Sequence, residues 1–139
     1  MNAQVAYVNW YQKERRQNYR TPPEVFDPLH AEFHFTLDGA SDPDNALLPA
    51  ASSEGSPVSW VGHRVFCNPP WSNIRPFVEQ AAEANLAVLL VPARTNAKWF
   101  HRALELGAWP RFFVGRIKFV GAKHSCPVDC MLLVFRRFA

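Results

Sequence analysis

The residues best suited to chemistry lie in one short run, Asn68-Pro69-Pro70-Trp71. Asn68 carries an amide oxygen that accepts hydrogen bonds. Pro69 carries a carbonyl whose direction is held by a ring-locked backbone. Trp71 carries a flat indole. Together they suit an exocyclic amine on a nucleobase. Such an amine is a poor nucleophile, because its lone pair is delocalised into the ring. To attack an electrophilic methyl it must become more tetrahedral and take on positive charge. Two acceptors aimed at its two hydrogens favour that shape and that charge. A base taken out of its stack also needs a face to rest on, and stacking on an aromatic ring contributes roughly 1–3 kcal/mol per base. A plainer reading competes: Asn-Pro is a common turn initiator, and Trp71 is then a core residue behind a strand terminator.

The flanking residues favour a site. Val65, Phe66 and Cys67 read as the end of a strand. After the run, Ile74, Phe77, Val78, Ala81 and Ala82 fall on one helical face. "EFHFTLDGAS" (32–41) alternates Phe33, Phe35 and Leu37 with polar residues, which predicts a strand ending at Asp38-Gly39. "LAVLLVPA" (86–93) is uniformly apolar, as in a central parallel strand covered on both faces. Asp38, Asn68 and the "VPART" stretch (91–95) therefore all lie at carboxyl ends of strands, where open α/β sheets bind ligands.

Other elements complete the pattern. "TPPE" (21–24) predicts a helix start, with Thr21 as cap, Pro22 at the first helical position and Glu24 closing a capping box. That helix continues through Val25, Phe26 and Leu29, with Pro28 limiting its regularity. "NAKWFHRALELG" (96–107) predicts a second-half helix with Asn96 as cap, a stripe of Trp99, Phe100, Ala103 and Leu104, and Gly107 as terminator. "RFFVGRIKFVG" (111–121) and "CMLLVFRRF" (130–138) predict two strands close enough for an antiparallel C-terminal hairpin. Residues 1–20 read as an N-terminal arm, and residues 41–57 as a long loop. The expected architecture is a single α/β domain over 21–139, three-layered, with a mainly parallel sheet.

Composition agrees with one folded domain. The 139 residues are 48% apolar and 19% charged, which is globular and not disordered. Net charge is +3, enough to permit a nucleic-acid partner without demanding one. Positive charge clusters in "KERRQNYR" (13–20) and "FRRF" (135–138). Arg15, Arg16 and Arg20 could contact phosphates, or could form a solvated basic surface. "HSCPVDC" (124–130) holds two of the three cysteines but finds no second ligand pair, so reduced thiols are expected rather than a metal. The N-terminus lacks a continuous apolar core, and the longest apolar run is too short to cross a bilayer. A cytoplasmic protein away from membranes is expected.

These stretches, in this order, resemble the phage-encoded DNA N-6-adenine-methyltransferase family, a compact branch of the S-adenosylmethionine-dependent methyltransferases. The resemblance spans roughly residues 19 to 136. It rests on "YRTPPEVFDPLHAEFHFTLDGAS", Trp60, "FCNPPWSNIRPFVEQA", "VLLVPARTNAKWFH" and "GRIKF". It implies a Rossmann-like methyltransferase fold and S-adenosylmethionine as methyl donor. It implies that Asn68, Pro69, Pro70 and Trp71 carry catalysis and hold the adenine. It further implies that Thr21 and Pro22 lie near the donor's methionine part, with Asp38, Ala40, Ser41 and Asn45 along the donor. DNA is the implied partner, in the host cytoplasm if the chain is phage-encoded.

The match is not complete. The usual Gly-x-Gly after the first strand is absent, and only Gly39 follows Asp38. The loop 42–59 lacks an obvious strand ending in an acidic ribose ligand. No insertion is large enough for a separate target-recognition domain, so specificity is low or comes from a partner or a homodimer. Arg94 and Thr95 follow the central strand on the site edge, where Arg94 contacts phosphate or pairs with an acidic neighbour. Arg116 and Lys118 either bind DNA or form a solvent-facing stripe. Two other functions stay open: methylation of RNA adenine or a protein amide on the same fold, and a DNA-binding module without catalysis.

Overall fold

The computed structural model describes residues 20–40, 47–48 and 59–137. The elements along the chain are α1 (Pro23–Phe33), β1 (Leu37–Asp38), β2 (Arg64–Cys67), α2 (Arg75–Ala81), β3 (Leu86–Pro92), α3 (Lys98–Glu105), β4 (Trp109–Phe112) and β5 (Cys130–Arg136). They form a mixed α/β fold around a five-stranded sheet of order β1-β2-β3-β5-β4. β1 pairs parallel with β2, and β2 parallel with β3. β5 runs antiparallel to both β3 and β4. Four strands therefore point one way, and β5 alone runs against them.

β3 is the hub. All seven of its residues are buried, as its unbroken apolar run predicts. The two faces of the sheet meet different helices. Successive strand side chains alternate faces, so Phe66 points away from Val65 and Cys67. Phe66 meets Phe26 of α1 edge-on, with ring centroids 5.3 Å apart. On the Val65 and Cys67 side lies Trp60, whose ring sits 6.3 Å from that of Phe77 in α2. α2 and α3 are tied together by Arg102 Nε donating to Glu79 at 2.8 Å.

Four local expectations are corrected. Thr21 does not cap α1, and no capping box with Glu24 forms. The cap is Pro22, extended at ψ 149°, and its carbonyl accepts from the N–H groups of Val25 and Phe26. Pro23 holds the first helical position and disfavours the helical conformation in the residue before it. The strand expected over 32–41 shrinks to Leu37–Asp38, because α1 runs five residues past Pro28 and ends at His34, with φ 53°. Asn96 does not cap α3. Ala97 does, through its carbonyl alone, which accepts from the N–H groups of Phe100 and His101.

The strand expected over 111–121 is instead β4 at Trp109–Phe112. Gly115 then turns at φ 80°, and the chain leaves the sheet. It folds back so that the Val120 N–H donates to the Arg20 carbonyl and the Cys126 N–H to the Ile117 carbonyl. Arg116 and Lys118 thus lie on an irregular segment, not a strand. The antiparallel C-terminal pair does form, with seventeen residues (113–129) between its strands. No described helix is long and apolar enough to cross a membrane.

Candidate active site

The register brings the predicted residues to one edge. Asp38 pairs with Phe66, and Cys67 pairs with Leu89. Because these strands are parallel, Asp38, Asn68 and the end of β3 share the carboxyl edge. β4 runs in the same direction, so the segment after Phe112 emerges there too. Arg20 bridges to Val120, which carries Thr21 and Pro22 to that segment. Thr21 and Pro22 are both buried.

Asn68 and Pro70 are half-buried, and Pro69 is buried. The chain turns at once, with Asn73 N–H donating to the Pro70 carbonyl at 3.0 Å, and enters α2. The Pro69 carbonyl accepts no hydrogen bond among the described residues. Trp71 faces inward and is 8% exposed. Its Nε1–H is shared between Asn68 Oδ1 at 3.1 Å and the Leu90 carbonyl at 3.3 Å. Its ring meets Phe119 edge-on, at 5.9 Å and 75°. Trp71 therefore presents no open face for a base in this conformation. Its indole sets the direction of the Asn68 amide. One lone pair of Asn68 Oδ1 takes the indole N–H, and the other remains available.

Asp38 is 3% exposed at the end of β1. Its Oδ1 accepts from Ala40 N–H at 3.4 Å and its Oδ2 from Leu47 N–H at 3.0 Å. The carboxylate thus anchors the start of the following loop. Gly39 next to it is a tight junction. A Cβ there would come within 2.5 Å of Trp60 Cζ2 and 2.9 Å of Val65 Cγ1. Only a residue without a side chain lets β1 lie this close to Trp60. Trp60 itself is fully buried, and its indole N–H has no hydrogen-bond partner among the described residues. Ala40 is half-buried and packs against the core. Ser41 and Asn45 lie outside the described residues, as do Arg15 and Arg16.

The expected DNA contacts divide. Arg94 is half-buried just past β3, and its carbonyl accepts from Ala97 N–H. Thr95 is exposed, and its carbonyl lies 2.8 Å from His101 Nε2. Arg116 is exposed and forms a loose pair with Asp129 at 3.8 Å. Lys118 is exposed.

Two members of the site were not legible beforehand. Phe119 and the Leu90 carbonyl both hold Trp71. The alternation of Ile117 and Phe119 with Arg116 and Lys118 carried part of the signal: both apolar side chains are buried, at 6% and 3% exposure. Alternation says which side chains point inward, not which ring they meet. Nothing in the side chain of Leu90 encodes its carbonyl's role.

All three cysteines are buried thiols. The thiols of Cys126 and Cys130 share a hydrogen bond, which together with burial pushes the Cys130 thiol far above its usual range. Among the described residues, no three His, Cys, Asp or Glu side chains are grouped to hold a metal ion.

No curated protein and no solved structure is detectably similar to this chain. A family model is: that of the DNA N-6-adenine-methyltransferase (Dam) family matches residues 9–138. The match covers almost the full length of a fold whose one sheet edge gathers Thr21, Asp38 and the Asn68–Trp71 corner, and so the chain belongs to the DNA N-6-adenine-methyltransferase family, enzymes that methylate adenine in DNA.

Proposed function

We propose that this chain methylates the N6 amine of adenine in DNA at the carboxyl edge of β1 and β2, using S-adenosylmethionine. The observation that carries the reading is the hold on Asn68. Its amide oxygen is fixed by the Trp71 indole N–H, which is itself anchored on the Leu90 carbonyl of the central strand. A half-buried acceptor with a fixed direction suits charge that develops on an amine. The Pro69 carbonyl, on a ring-locked backbone, is the second acceptor. Trp71 acts here as a positioning residue, and Phe119 buttresses it.

The methyl donor fits the neighbouring strand end. Asp38, buried at the end of β1, would lie beside its ammonium or ribose hydroxyls. Thr21 and Pro22 would border it from the start of α1. Bound there, S-adenosylmethionine supplies an electrophilic methyl on a sulfonium. The protein contributes orientation and two acceptors, and the amine loses its proton after transfer, so no strongly perturbed general base is required. The three-layer, Rossmann-like arrangement is supported by α1 on the Phe66 face against α2 and α3 on the other.

Incubation with labelled donor and unmethylated DNA tests the reading, with RNA and protein as competing acceptors. Asn68→Ala should lower the transfer rate at least about tenfold, since removing one such acceptor costs about 2–4 kcal/mol. A variant as active as the parent would put the centre elsewhere. Label appearing only in RNA or protein would reassign the substrate.

A further inference from the structure

The end of β4 and the loop after it carry exposed apolar side chains. Val114 is completely exposed at 106%, and Phe112 is 69% exposed. Scattered exposed apolar residues are ordinary. These are not scattered. Gly115, with φ 80°, makes Val114 the outer corner of a turn. Arg116, Lys118 and Lys123 are exposed along the same segment, against the single carboxylate of Asp129. The base of the loop is anchored: Phe119 packs on Trp71, and Val120 is bonded to Arg20. Val114 is thus five residues of chain from a ring that touches the site, at most about 18 Å.

We propose that this tip is a wedge for duplex DNA, with Val114 and Phe112 entering between base pairs beside the extruded adenine while Arg116 and Lys118 hold phosphates. The proposal rests on the reading of the Asn68 corner as the adenine site. An enzyme that takes a base out of a duplex must hold open a disturbed stack, and apolar side chains inserted at a base step do this. The charge selects the occupant. A second copy on a two-fold axis would bring the same patch against itself, placing cations against cations. Strand-to-strand pairing along β4 is also blunted, because Pro110 has no N–H to donate. A polyanion meets neither obstacle.

Binding of a labelled duplex, and of its matching single strand, is measured over a range of salt for the parent, for Phe112→Ala/Val114→Ala and for Arg116→Gln/Lys118→Gln. The apolar variant should weaken duplex binding about tenfold, leave single-strand binding within about twofold, and keep the salt slope. The charge variant should flatten the salt slope by about 0.9 per lost phosphate contact on duplex DNA. Val114→Phe, which keeps an apolar tip, should retain duplex binding. Equal losses on both DNA forms, or no loss, would overturn the wedge. So would sedimentation showing a dimer that the apolar variant dissolves, which would make the patch a self-interface. Because binding is read without catalysis, a parent that binds in this pattern but transfers no methyl would sink the catalytic reading and leave the wedge standing.

Discussion

β3 and β4 are strands of one sheet and opposite in character. β3 has a neighbour on each side and every residue buried. β4 has one neighbour, no buried residue, and Trp109 at 77% exposure. The difference is written in their residues: "LAVLLVP" contains no charge, whereas "WPRF" contains a proline and an arginine. It also divides the labour. The buried strand lends a carbonyl to Trp71 and so fixes the Asn68 amide. The edge strand leads into a loop that reaches outward. Acceptors for a reacting atom belong on well-packed elements, and contacts to a large partner belong on exposed ones.

The contrast is broken most directly by truncation. Leu89 in β3 is fully buried, so Leu89→Ala should cost about 2–5 kcal/mol in urea unfolding. Phe112→Ala in β4 should change stability by less than about 0.5 kcal/mol. Equal costs would mean that β4 is part of the core after all. Gly39→Ala comes next. Its Cβ would stand 2.5 Å from Trp60 Cζ2, so Trp60 or β1 must shift. A loss of about 1–3 kcal/mol is expected, accompanied by weaker donor binding in calorimetry. Unchanged stability would show that Trp60 yields freely.

The same contrast governs what could be read from residues alone. β3 was legible to within one residue, because an apolar run that long has few other homes. The carboxyl edge that gathers Asp38 and Asn68 was legible as a place, because strand polarity follows from alternating strands and helices. The caps were not. Thr21 and Asn96 are good capping types, yet backbone carbonyls of Pro22 and Ala97 do the work, since prolines at 22 and 23 and the turn at Arg94–Ala97 set the entry angles. The inward turn of Trp71 was also hidden. An indole beside a site suggests stacking, and only the positions of Leu90 and Phe119, 19 and 48 residues further along, turn it into a brace.

Trp71→Phe sharpens that point. It keeps the ring packing on Phe119 and removes the N–H that fixes Asn68. A single hydrogen bond of this kind is worth about 1 kcal/mol, so kcat should fall roughly five- to tenfold, with KM for DNA little changed. If Trp71 works through Asn68, then Asn68→Ala/Trp71→Phe should be no slower than Asn68→Ala alone. Additive losses, or a large rise in KM for DNA, would favour direct stacking of the base on Trp71 instead.

The smallest expected effect lies where β4 meets α1. Arg111 donates to both oxygens of Glu32, at 2.8 and 2.7 Å, and stacks 5.0 Å above the Phe33 ring. Arg136 stacks on the same ring at 5.2 Å. The hydrogen bonds from Arg111 hold the Glu32 carboxyl below its ordinary range, with Arg136 adding to the effect. A carboxylate whose folded pKa is depressed contributes stability above its unfolded pKa and loses it as pH falls through the folded one. The pair is 43% exposed on both sides, so solvent screening keeps its contribution below about 1 kcal/mol. Glu32→Gln should therefore lower the urea midpoint slightly at neutral pH, and the gap from the parent should close as the solution is acidified through the carboxylate range. A gap that persists in acid would mean that Glu32 acts through packing on Phe33, and the β4 edge would then be tied to α1 by shape and not by charge.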